Sequence, residues 1–183
     1  MPNLPAAGPF VNKEDFMDTT LIAYVTKTGS TREIALYVQE VLNEKGIETV
    51  VLPVSEVQAL GNYSSVVVGA PINGMQWAPE AAAFVRDHRD DLRERPVALF
   101  AVSYMHAHAR PMWKASIEKS VRTAAEAAGA RTTAIFGGRI ATPLPGAARL
   151  LFGLPRDLPL DTRDQEAIRA WAHSLPGALS LGK

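Results

Sequence analysis

Six consecutive residues, Thr26-Lys27-Thr28-Gly29-Ser30-Thr31, include three threonines, a serine, a lysine and a glycine. An apolar run precedes them and a helical pattern follows, so they form a turn leading into a helix. The first N–H groups of a helix lack partners within it, and the helix dipole adds partial positive charge at that end. Hydroxyls beside those N–H groups supply further donors, and Gly29 lets the backbone approach a ligand closely. Together these features suit a terminal phosphate. A plainer reading stands beside this one: Ser30 and Glu33 have capping-box spacing, so Ser30 can serve as a helix cap. Four hydroxyls and a glycine exceed what a cap requires, and the phosphate reading is favoured.

Other candidate chemistry sits where later strands run out. Ser103-Tyr104-Met105-His106-Ala107-His108-Ala109-Arg110 carries two histidines at i, i+2. With no cysteine and no third ligand at a suitable spacing, they do not make a metal site. A proton donor is a lesser option, and exposed loop histidines the plainest. In Phe136-Gly137-Gly138-Arg139 the glycines permit close backbone approach. Arg139 suits an acidic substrate or, as the favoured option, a surface ion pair.

These segments need elements to position them. Residues 21–26, 47–54, 65–69, 97–103 and 132–140 are short apolar, β-branched runs and read as five strands. Residues 31–45, 79–92, 111–128 and 162–175 read as helices. Gly46 closes the first, Pro79 and Pro111 open two others, and Thr162 with Gln165 forms a capping box on the last. Strands alternating with helices imply right-handed crossovers and a parallel sheet covered on both faces. The expected fold is a three-layer, doubly wound α/β sheet with strand order 2-1-3-4-5. Ligands in such sheets bind beyond the carboxyl ends of the strands, at the switch point between strands one and three. The loops at 26–31, 70–77 and 103–110 therefore converge.

Composition bounds the rest. The chain of 183 residues is one domain, 19–183, preceded by an irregular lead-in, 1–18, broken by Pro2, Pro5, Gly8 and Pro9. Cys 0 excludes disulfides and a cysteine nucleophile. Lys+Arg 19 balance Asp+Glu 19, so no global field recruits nucleic acid or an anionic membrane. No apolar stretch approaches the ~20 residues of a membrane span, and residues 1–18 lack a signal-peptide pattern, so a cytoplasmic location is expected.

The Thr26-x-Thr28-Gly29-x-Thr31 loop, the strand order and the Gly69-Ala70-Pro71-Ile72-Asn73-Gly74 turn resemble the flavodoxin family over residues 21–175. Within it the chain looks most like the flavodoxin-type protoporphyrinogen dehydrogenases, through Thr31-Arg32-Glu33-Ile34-Ala35 and a long insertion after the fifth strand. The resemblance implies FMN, its phosphate on residues 26–31 and its ring held by the next two loops. Pro71, Ile72, Asn73 and Gly74 would line one side, with Gly74 at positive φ turning a backbone group toward the flavin. Trp77 would stack on the ring or pack against the following helix. Tyr104 would cover the opposite face, the backbone of Ser103 to Met105 would bond the polar edge, and His106 belongs to the same cofactor-binding loop. Carrier flavodoxins are strongly acidic, and this chain is neutral.

Three functions follow from that reading. The leading one is an FMN-dependent oxidoreductase for a small conjugated molecule such as a porphyrinogen or quinone. The alternatives are an electron carrier for a redox protein, and a flavin-free interaction module. Residues 142–160 form a connection longer than α/β units use. Their leucines either pack on the sheet edge or form an apolar lid or interaction surface for a hydrophobic substrate, a membrane face or a second copy of the chain. Prolines bar one long helix there, though residues 147–152 can make a short one.

Overall fold

A computed structural model describes residues 19–180; the irregular lead-in expected for residues 1–18 lies outside them. Strands β1 (Thr20–Tyr24), β2 (Thr49–Pro53), β3 (Ser65–Asn73), β5 (Val97–Val102) and β6 (Ala130–Phe136) are parallel and ordered β2-β1-β3-β5-β6. Among these five long strands, this is the expected 2-1-3-4-5 order. β4 (Gln76–Trp77) adds two antiparallel residues to β3.

Alternation along the strands divides the core between two layers. Leu21 and Ala23 of β1, Val66 and Val68 of β3, and Leu99 of β5 face one apolar cluster with Phe84, Ile117 and Val121. The last three lie on α2 (Pro79–Asp87) and α4 (Pro111–Ala128). Ile22, Val67, Ala98 and Phe100 face the other, with Ile34, Val38, Ile168 and Leu175 from α1 (Ser30–Glu44) and α6 (Gln165–Leu179). A strand buried on both faces must be apolar at every position, which is the pattern of β5 and of β3 from Val66 to Ala70. Gly46, at φ +75, closes α1 with its N–H on the Asn43 carbonyl.

Several boundaries depart from the sequence reading. β3 continues to Asn73 because Gly74 and Met75, both at positive φ, make a two-residue hairpin into β4. The helix expected over 79–92 breaks at His88 into α2 and α3 (Arg89–Arg93). The polar run 86–91 offers no apolar face to carry it through. The fifth long strand starts at Ala130 and stops at Phe136. The last helix begins at Gln165, and Asp164 caps it by accepting the Ala167 N–H at 3.0 Å. The Thr162 capping box is therefore incorrect: the Thr162 hydroxyl is engaged by the ends of other strands.

Residues 140–160 leave β6 and return on themselves as an Ω-type excursion. An isolated antiparallel bridge, Arg139 to Asp161, closes its base, with Ile140 N–H on the Leu160 carbonyl and Thr162 N–H on the Gly138 carbonyl, both at 3.0 Å. The excursion contains the short helix α5 (Gly146–Phe152). No helix among the described residues is long and apolar enough to cross a membrane.

Candidate functional site

Parallel strands end on one edge, and the register places Tyr24 beside Gly69, Gly69 beside Phe100, and Val102 beside Phe136. The three loops expected to converge therefore leave adjacent strands at the same edge, joined by residues 137–139.

In the first loop, Gly29 sits at φ +90 and donates its N–H to the Thr26 hydroxyl at 3.0 Å. No side chain caps α1, whose N-cap is Gly29 itself. Ser30 is thus not the cap that its spacing with Glu33 allowed. Ser30 and Thr31 are buried in the first turn, whereas Lys27 and Thr28 are exposed. Ser30 Oγ accepts the main-chain N–H of Arg139 at 3.0 Å, and Thr28 Oγ1 donates to the Arg139 carbonyl at 3.2 Å.

The second loop is mostly strand. Pro71, Ile72 and Asn73 are half-buried on β3, and Gly74 takes its positive φ at the exposed hairpin tip. The Asn73 amide nitrogen is buried without an acceptor among the described residues. Of the two placements expected for Trp77, packing against the following helices is the one observed. The residue is 5% exposed, joins the cluster under α2 and α4, and its main-chain N–H reaches Ser120 Oγ at 2.9 Å. Burial of β4 against α4 leaves the indole little exposed surface.

In the third loop, Ser103 is buried and donates its N–H to the Phe136 carbonyl at 2.9 Å. Tyr104, Met105 and His106 are half-buried. His106 Nε2 lies 3.1 Å from Glu118 on α4, which holds the ring against the protein. Tyr104 has two tethers: its hydroxyl donates to the Pro159 carbonyl at 2.9 Å, and its carbonyl accepts from Thr162 Oγ1 at 3.1 Å. The Thr162 hydroxyl also meets the Gly138 N–H at 3.2 Å. A Cβ on Gly137 would stand 1.9 Å from the Thr162 carbonyl oxygen, the close approach expected of this glycine pair.

The excursion lies on this third loop and the start of α4, not on a sheet edge. Arg110 N–H reaches the Phe152 carbonyl at 2.9 Å, Trp113 Nε1 the Leu151 carbonyl at 3.2 Å, and the Trp113 and Phe152 rings meet edge to face at 5.4 Å. Leu154 and Leu158 are buried, while Leu150 and Leu151 are 74% and 54% exposed.

Sequence reasoning passed over a charged network beside the first loop. Glu33 accepts from Arg139 at 2.7 Å through one carboxylate oxygen and from Arg163 through the other; Arg163 also binds Asp161, its Nε 2.9 Å from Oδ1. The hydrogen bond from Arg163 holds the Asp161 carboxyl below the usual carboxylate range, and Asp161 in turn raises Arg163. Arg139 makes the ion pair that its sequence position favoured, but at the mouth of the hydroxyl loop. No local spacing signals the pairing of Glu33 with Arg163.

Comparison with known proteins places this edge in context. The family model for the flavodoxin domain matches residues 21–147. Protoporphyrinogen IX dehydrogenase [quinone] of Escherichia coli is 36% identical over 86 residues, covering 46% of this chain and 48% of that protein. The chain thus spans about half the length of the curated relatives it matches. Among solved structures, a Streptococcus pneumoniae flavodoxin matches with TM-score 0.56 at 15% identity, covering 87% of this chain and 98% of that one. An apo NADH:FMN oxidoreductase matches with TM-score 0.55 at 12% identity, covering 90% of each. Rubredoxin oxygen:oxidoreductase of Desulfovibrio gigas matches with TM-score 0.56 at 14% identity, over 89% of this chain and 36% of that one. These structural likenesses bear on fold, and together with the family model they place the site on a familiar scaffold: the chain belongs to the flavodoxin family.

Proposed function

We propose that this protein is an FMN-dependent oxidoreductase that acts on a small conjugated molecule such as a porphyrinogen or quinone. The observation that carries the reading is the uncapped start of α1 at the switch point, surrounded by the Thr26, Thr28, Ser30 and Thr31 hydroxyls. The donor set fits a phosphate: it is made of neutral hydroxyls and the main-chain N–H groups of the first turn of α1, entered through Gly29 at φ +90. The buried Asn73 amide nitrogen supplies an unpaired donor at the second loop, and half-buried Tyr104 an aromatic ring at the third. When bound, FMN supplies the capacity to accept or release a hydride or single electrons.

In this reading residues 26–31 hold the phosphate. Pro71 to Gly74 and Ser103 to His106 flank the ring, Tyr104 on one face. Trp77 acts from beneath by bracing β4 against α4. Residues 19–183 form the FMN domain, in a cytoplasmic setting. The similarity to the E. coli dehydrogenase, whose name specifies protoporphyrinogen IX and quinone, supports that substrate class. The neutral charge balance supports a small-molecule partner over an electrostatically steered protein carrier.

An absorption spectrum of the purified protein, with identification of the released cofactor, tests the first half. Flavin bands and FMN are expected. Stopped-flow mixing of the flavin-loaded protein with quinones and porphyrinogens tests the second. Rapid flavin redox change is expected; exchange only with a ferredoxin-type protein would identify a carrier instead.

A further inference from the structure

The charged network beside the hydroxyl loop poses an electrostatic problem. Glu33 lies in the first turn of α1, and one of its carboxylate oxygens is 3.7 Å from where a Cβ on Gly29 would stand. A bare carboxylate there would repel a phosphate on the same loop because of its proximity, although solvent at its partly exposed side chain screens the effect. Both of its oxygens are engaged by guanidinium groups, from Arg139 on one side and Arg163 on the other. Arg163 is fixed in turn by Asp161, so the four charges sum to zero.

Arg139 also acts through its main chain. Its N–H is accepted by the oxygen of Ser30, whose own hydrogen is directed at the Arg139 carbonyl at 3.4 Å. Its carbonyl takes the Thr28 hydrogen, which an anion on the loop would receive in exchange. The base of the 140–160 excursion thus presents Arg139 to the loop by three contacts from one residue: N–H, carbonyl and guanidinium.

We infer that Arg139 and Arg163, by neutralising the Glu33 carboxylate, keep the phosphate site free of a repelling charge and so set its preference for a phosphorylated flavin over an unphosphorylated one. This inference rests on the FMN reading. It assigns a specificity role to three residues outside the hydroxyl loop's own donor set, of which Arg163 is delivered by the chain's return from the excursion and Arg139 stands just before it.

The test compares FMN and riboflavin dissociation constants, by quenching of flavin fluorescence, for the full chain stripped of flavin. Arg139→Gln and Arg163→Gln are each expected to lower the FMN-to-riboflavin affinity ratio about three- to tenfold, leaving riboflavin affinity unchanged. Glu33→Gln is expected to raise the ratio, and added salt to shrink each difference. Riboflavin affinity doubles as the folding control. Should Arg163→Gln lose it, Arg163→Lys, which keeps the charge, is expected to bind both flavins with the wild-type ratio, and a lowered ratio in that variant would overturn the assignment. A wild-type ratio well above one that stays the same in Arg139→Gln and Glu33→Gln would overturn the inference while leaving phosphate anchoring intact. A wild-type ratio of one would remove phosphate anchoring itself.

Discussion

The hydroxyl of Tyr104 donates to the carbonyl of Pro159 at 2.9 Å, so the third loop of the site and the far end of the 140–160 excursion are directly joined. The phenol has two separable duties in the proposed site, its ring beside the flavin and its hydroxyl as a strut. Tyr104→Phe keeps the ring and removes the strut, a loss of about 1 kcal/mol. Faster limited proteolysis within 142–160 is expected, with flavin affinity and absorption unchanged. Tyr104→Ala is expected to shift the flavin bands as well.

Leu150 and Leu151 project from α5 while Leu154 and Leu158 anchor the excursion. Exposed apolar side chains contribute little to stability, so Leu150→Ser with Leu151→Ser should change unfolding free energy by no more than about 0.5 kcal/mol. If this face receives a hydrophobic acceptor, the double variant raises its KM while a water-soluble acceptor is turned over as before. Parallel steady-state assays with the two acceptors decide the matter. Equal effects on both would reduce the leucines to bystanders.

Thr28→Ala and Thr31→Ala each remove a hydroxyl from the proposed phosphate loop. A hydrogen bond to a charged acceptor contributes about 1.5–3 kcal/mol, so FMN affinity should fall roughly ten- to a hundredfold. Riboflavin affinity should hold. Titration calorimetry with both flavins reads the difference.

Gly69 pairs with Phe100 across β3 and β5, and a Cβ there would stand 2.0 Å from the ring. Phe100 is fully buried and packed against Phe136 and Trp171, so it has nowhere to retreat. Gly69→Ala is expected to cost about 3 kcal/mol by overpacking. Adding Phe100→Leu should restore part of the loss in urea unfolding, a non-additivity that a backbone effect at residue 69 would not produce.

Asp161 is held below its unfolded value of 3.8 by Arg163. A carboxyl depressed on folding contributes stability that is fully present above its unfolded pKa and is lost as pH falls through the folded one. Wild type should therefore be more stable than Asp161→Asn at neutral pH, and the gap should close below about pH 4, where the unfolded chain begins to bind the proton. Melting temperatures of the pair from pH 7 to pH 3 give the curve. A gap that widens toward acid would contradict the assigned partner.

The architecture was readable because its signals are local. Three consecutive valines, 66–68, report burial on both faces, and Gly29 after an apolar run reports the turn that opens a helix. Both follow from backbone geometry within a few residues. Tertiary structure alone decided the rest. Trp77 turned inward because β3 extended to Asn73 and the Gly74-Met75 hairpin laid β4 against α4, a pairing set by packing rather than by indole chemistry. Ser30 and Thr162 both had cap spacing, yet their hydroxyls serve strand ends far away in sequence. Glu33 and Arg163 meet across 130 positions. Charged pairs of that kind leave no periodic trace, since they depend on where the sheet order and the excursion deliver two loops, not on what surrounds either residue in the chain.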